Sequence, residues 1–126
     1  MARVVYVHWN EEEGKPAVRA LRGEGHAVLF HWTQIADADA WRRMKESLPE
    51  AMVISLARLP SHGRRVAEWF WEAEYRRAVP VLFVGGAPEK VALVKKRFPE
   101  AVFTSGERLL ADLASALARS PVAPKS

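Results

Sequence analysis

Hydrophobic and polar positions follow two different periods along this chain. Short runs rich in β-branched, aromatic and aliphatic residues, at positions 3–9, 26–32, 51–56, 80–84 and 101–104, are separated by longer stretches whose apolar residues recur every three or four positions. The first pattern is that of a strand and the second that of an amphipathic helix. Their strict alternation predicts parallel strands joined by crossover helices, in a single α/β domain with helices on both faces of a five-stranded sheet. Positions 51–56 and 80–84 are apolar without interruption, which suits central strands buried on both faces.

The helical stretches carry their own punctuation. The first is expected over about 12–22, with Pro16 in its early turns and Gly23-Glu24-Gly25 as its stop. The second is expected over 38–47, capped by Asp37, with Trp41, Met44 and Leu48 on one face and Pro49 closing it. A third opens near Ser61, offers Val66, Trp69, Phe70 and Ala73 as a core stripe, and stops before Pro80, whose ring disfavours helix at the preceding residue. Pro88 suits the first turn of a fourth, in which Val91, Val94 and Phe98 share a face. The last is expected over 107–119 with Leu110, Leu113 and Leu117 inward. Residues 120–126 contain two prolines and almost nothing to bury, so a domain over 1–119 with a disordered tail over 120–126 is expected.

Composition narrows the classes. A chain of 126 residues that is 49% hydrophobic fills one core. No apolar run approaches the roughly 18 residues of a membrane span, and the first seven residues lack the regions of a signal peptide, so a cytoplasmic location is expected. The absence of cysteine excludes disulfides, thiolate nucleophiles and cysteine-type zinc sites. Asn10 and Gln34 are the only side-chain amides among abundant Lys, Arg and Glu, the bias of a thermophilic protein. A formal charge of +4 invites a nucleic-acid reading. The basic residues, however, are spread over every expected helix and interleaved with Glu or Ala, as on a solvated mixed-charge surface, so nucleic acid is not the expected partner.

Ligands on parallel sheets bind beyond the carboxyl ends of the strands, so the loops there carry any chemistry. They hold His8, Trp9 and Asn10 after the first strand, His31 and Trp32 after the second, 55–63 after the third, Gly85 and Gly86 after the fourth, and 104–106 after the fifth.

Five βα units in about 120 residues, with Ser55, Pro60 and Gly63 after the third strand and Pro80 opening the fourth, resemble a receiver domain of two-component signalling. The resemblance spans nearly the whole chain and implies a flavodoxin-like doubly wound sheet of order 2-1-3-4-5. Residues 55–63 are similar to the receiver phosphorylation loop, with Ser55 where the phosphoacceptor aspartate belongs, Gly63 at the expected distance and Pro60 one residue late. Receiver chemistry needs that carboxylate and an acidic pair after the first strand, because magnesium takes oxygen ligands and must neutralise the phosphoryl group. Here the pair falls on or near Trp9 and Asn10, the hydroxyl that ends strand four corresponds to Gly85, and the lysine that ends strand five to Ser105. Glu11, Glu12 and Glu13 read as acids favoured in a first helical turn. The resemblance thus implies a pseudo-receiver without phosphoryl transfer: a phosphorylation-independent interaction or signalling module, no enzyme, and no cofactor.

Other features carry alternatives. His8-Trp9 and His31-Trp32 end neighbouring strands and form either a pocket for a planar ligand or core-covering rings; no third ligand has metal-site spacing. Ser61-His62-Gly63-Arg64-Arg65 opens a helix and attracts anions, or is a cap with solvated arginines. A small-molecule or anion sensor using His8, His31, Ser55, Arg58, His62 and Arg64 is therefore the second reading. On the third helix, Trp71 and Tyr75 beside Ala67 are expected on an outward face, as a contact for a protein partner or a second copy, unless Trp71 folds over the core edge.

Overall fold

In a computed structural model of the chain, the residues described are 2–8, 10–31, 48–56, 67–68, 70–72 and 77–119. They form β1 (Arg3–Val7), α1 (Glu11–Gly23), β2 (Ala27–His31), β3 (Ala51–Ser55), β4 (Val81–Val84), α2 (Pro88–Arg97), β5 (Val102–Thr104) and α3 (Leu109–Arg119). The expected second helix over 38–47, the stretch 57–66 and residues 120–126 lie outside the described residues.

All four strand pairings are parallel and the order is β2-β1-β3-β4-β5. The first strand therefore lies inside the sheet, with β2 laid on one side of it before the chain crosses back to build β3, β4 and β5 on the other. This is the doubly wound arrangement that the alternating pattern predicts. Every residue of β3 is buried, as its unbroken apolar run requires.

Side chains on alternate positions divide the core into two layers. On one face Val5, Val7, Met52, Ile54, Val81 and Phe83 pack with Ala67 and Phe70 of a helical segment and with Val94 and Phe98 at α2. On the other, Val4, Tyr6, Val53 and Leu82 meet Val18 and Leu21 of α1 and Leu109, Leu113 and Ala116 of α3. Each fully buried Val, Leu, Ile or Phe contributes on the order of 1.5–3 kcal/mol, so these layers hold the sheet and fix its edges.

Three expectations shift in detail. The first helix begins at Glu11, one residue early, because Asn10 is its N-cap. The last begins at Leu109 rather than 107, and its inward stripe is Leu109, Leu113 and Ala116; Leu110 and Leu117 only flank it. Ala67, expected on an outward face, is fully buried in the first layer. Its N-terminal turn bonds into Trp71 as a helix does, with Trp71 N–H donating to the Ala67 carbonyl at 2.9 Å, and this puts Ala67 on the same inward stripe as Phe70.

Candidate functional site at the carboxyl end of the strands

Strand register assembles the edge row by row. Val7 pairs with Ile54, and Ile54 with Phe83; one residue further, Ser55 pairs with Val84 and Val84 with Thr104. His8 follows Val7 directly, so His8, Ser55, Val84 and Thr104 close the sheet on the face covered by α1 and α3. The His31 backbone pairs with Val7, not with His8. His8 and Ser55 are both buried.

The loop after β1 is built around a helix cap. Asn10 is extended, at φ −139° and ψ 116°, and its side-chain oxygen accepts a hydrogen bond from Glu13 N–H at 3.0 Å. That bond satisfies one of the donors a helix leaves free at its start. The backbone N–H of Asn10 donates in turn to His8 Nδ1 at 3.0 Å. An imidazole nitrogen that accepts is unprotonated, so the neutral ring carries its proton on Nε2. Both side chains are thus committed to holding this turn.

Gly14 completes the turn from the helix side. A Cβ there would lie 2.4 Å from Phe30 Cζ and 3.2 Å from His8 Cβ, so glycine lets α1 settle directly onto the Phe30 ring. Tyr6 lies beneath, with ring centroids 5.6 Å from Phe30 and 6.2 Å from His8. Burial pushes its phenol up to about 12.

The acids that follow β1 are Glu11, Glu12 and Glu13 in the first turn of α1, where the helix dipole favours them. Glu12 is exposed and pairs with Lys15 at 2.9 Å. Among the described residues no group of three or more histidine, aspartate or glutamate side chains is placed to hold a metal ion. The buried carboxylate of the described chain is Glu50, at the opposite end of the strands, where Oε1 accepts from Arg3 N–H at 3.2 Å.

After β4 the chain turns through two glycines at positive φ, Gly85 at 71° and Gly86 at 94°. Gly85 N–H donates to the Thr104 carbonyl at 3.1 Å, which ties the loop to the end of β5. At Gly86 a Cβ would come within 2.9 Å of Leu56 Cβ, so both the backbone conformation and the packing require glycine. Ser105 follows β5 in an exposed position.

Of the residues expected at this site, the sheet brings His8, Asn10, Ser55, Gly85 and Ser105 to one edge. Trp9, Arg58, Ser61, His62 and Arg64 lie outside the described residues, as does the side chain of His31. Of the expected contact surface, Ala67 is core and Tyr75 is outside the described residues. Trp71 packs edge-on against Phe98 at 5.9 Å, and its indole N–H donates to the Val79 carbonyl at 3.0 Å, so it folds over the rim of the core. Sequence reasoning missed the cap at Asn10 and the notch at Gly14. The first was legible as an Asn followed three residues later by Glu, a helix-start signature.

No protein-family model matches the sequence, and neither does any curated protein. Solved structures do match. One described as a response regulator from Chloroflexus aurantiacus J-10-fl is 15% identical with a TM-score of 0.74, over 94% of this chain and 98% of its own. A signal receiver domain of a signal transduction histidine kinase from Syntrophus aciditrophicus is 13% identical with a TM-score of 0.73, over 100% and 97%. The N-terminal domain of a response regulator receiver protein from Methanoculleus marisnigri JR1 is 12% identical with a TM-score of 0.63, over 98% and 99%. The fold is that of receiver domains, and no helix among the described residues is long and apolar enough to cross a membrane.

Proposed function

We propose that this receiver-fold domain is a signalling module that works by binding a protein partner and is not switched by phosphorylation. The observation that carries the reading is Ser55. It ends β3, the central strand, buried at the position where the resemblance to receivers calls for an aspartate. An aspartate there would accept a phosphoryl group as an acyl phosphate, a labile species suited to a switch. A serine would form a stable ester and would need a kinase.

The neighbouring side chains support the same reading. Asn10 stands near the place of the magnesium-binding acids, and its oxygen is engaged by Glu13 N–H. Its carboxamide brings no negative charge to offset a divalent cation or shape the transfer step. Without that chemistry, the domain is not an enzyme and its signal leaves through surface contacts.

The test is capture of partners from native cell extract on the immobilised full chain, in parallel with and without magnesium and acetyl phosphate. Equal recovery of the same partner is expected. Recovery that requires the phosphodonor would overturn the reading. A rise in melting temperature with nucleotides or phosphorylated metabolites, and no retained protein, would replace it with the sensor reading.

A further inference from the structure

We propose that the groove between α1 and the edge strand β2 is the docking surface of this module, and that it takes an acidic segment of a partner protein with apolar side chains between its carboxylates. The inference rests on the reading that the domain acts through surface contacts, and it gives that contact a place and a chemistry.

The groove, about 530 Å³, is bounded by Glu11, Lys15, Arg19 and Arg22 of α1, with Val18 beneath, and by Val28, Leu29 and Phe30 of β2. The polar wall follows from helical spacing: positions 11, 15, 19 and 22 recur every three or four residues, one stripe over from Val18 and Leu21, which face the core. Three cations therefore line the groove against one carboxylate. Lys15 is held by Glu12 at 2.9 Å, and Arg22 Nη2 donates to the Val28 carbonyl at 3.1 Å. Arg19 has no ion-pair partner among the described residues. Arg97, by contrast, is paired with Glu68 at 2.9 Å.

The floor is apolar in a place where proteins usually avoid it. β2 is the outer strand of the sheet, and its sequence Ala27–His31, AVLFH, has none of the lysines, acids or prolines that commonly blunt a sheet edge. Val28 and Phe30, which alternate onto the α1 side, are half-buried and form the floor, while Leu29, 45% exposed, has its side chain on the other face of the strand. Arg22 covers one outer carbonyl of the strand but leaves this apolar strip beside a cationic wall. An acidic segment with interspersed apolar residues satisfies both. A nucleic-acid backbone would satisfy the wall alone, since phosphodiesters bring no apolar side chain to Val28.

The experiment is a titration of the ¹⁵N-labelled full chain with a synthetic peptide of alternating glutamate and leucine, followed by amide chemical shifts. Glutamine–leucine peptide and a generic DNA duplex are run alongside. Saturable shifts confined to α1 and β2 are expected with the acidic peptide. Lys15→Glu with Arg19→Glu should weaken binding about tenfold or more, while Lys90→Glu with Lys96→Glu on α2, the same change in net charge, should alter it by less than about twofold. Shifts spread over all basic surfaces, equal weakening in both double variants, or a duplex that gives the same shifts with similar affinity would each overturn the proposal. None of these results bears on phosphorylation, which mass measurement reads separately.

Discussion

The two ends of the strands are finished in opposite ways. At the amino end a buried carboxylate does the work: Glu50 accepts from Arg3 N–H at 3.2 Å, its own N–H donates to the Arg3 carbonyl at 2.7 Å, and His26 Nδ1 accepts from Ala2 N–H at 3.2 Å. At the carboxyl end, where ligands of parallel sheets bind, the buried polar groups among the described residues are an imidazole and a hydroxyl, and the turn after β4 is shaped by glycine. The buried carboxylate thus sits at the amino end, bonded to the backbone of β1. The carboxyl end, among the described residues, is a set of capped and closely packed turns.

This contrast can be broken or sharpened by substitution. The largest effect is expected at Gly86. Gly86→Ala forces a side chain into positive φ and against Leu56, and should cost about 3 kcal/mol in denaturant unfolding, whereas Gly85→Ala, with open space around it, should cost about 1 kcal/mol. Equal effects would show that the carboxyl turn is not packed as described. Next comes α1, whose two glycines should respond with opposite signs. Gly14→Ala should lose about 1–3 kcal/mol against Phe30, although alanine ordinarily favours a helix, and Gly23→Ala, which meets nothing, should be neutral or gain up to about 1 kcal/mol.

Tyr6 gives a pH signature beneath the carboxyl end. Its folded pKa of about 12 lies above the ordinary value of 10.0, so folding favours the neutral phenol. The associated stability is fully present below pH 10 and is lost as pH rises from 10 toward 12, at about 1.4 kcal/mol per unit. Tyr6→Phe should remove that part of the alkaline slope, and at neutral pH it should leave stability unchanged or slightly raised, because the buried hydroxyl has no hydrogen-bond partner among the described residues. A slope identical in the two proteins would contradict the burial. The last test lies at the amino end. Glu50→Ala should cost about 1–2 kcal/mol by orphaning Arg3 N–H, with Glu50→Gln recovering most of it. Full loss in the glutamine variant would mean that charge, not acceptance, holds that end.

Much of the fold was legible because β2, β3 and β4 are apolar runs of strand length bounded by Gly and Pro, and because α1 and α2 carry their start and stop residues in the sequence. The strand order came with the receiver resemblance of residues 55–63, and the sheet has that order. What periodicity could not resolve was direction within a helix. Ala67 is small and carries no strong pattern, so whether it shared the inward stripe of Phe70 depended on the turn that positions Trp71. At the carboxyl edge, composition showed which residue types stand after each strand. It could not show that Asn10 and His8 would spend their polar atoms on a shared cap, because that depends on the backbone of a single loop. The groove beside β2 was not legible for a related reason: its cations and its apolar floor belong to different elements, and only their packing in three dimensions sets them side by side.

The central claim meets its most direct test in intact-mass measurement of the full chain after incubation with magnesium and acetyl phosphate. The account predicts an unchanged mass under conditions that phosphorylate an aspartate-bearing receiver run in parallel. Magnesium-dependent addition of one phosphoryl group would contradict it.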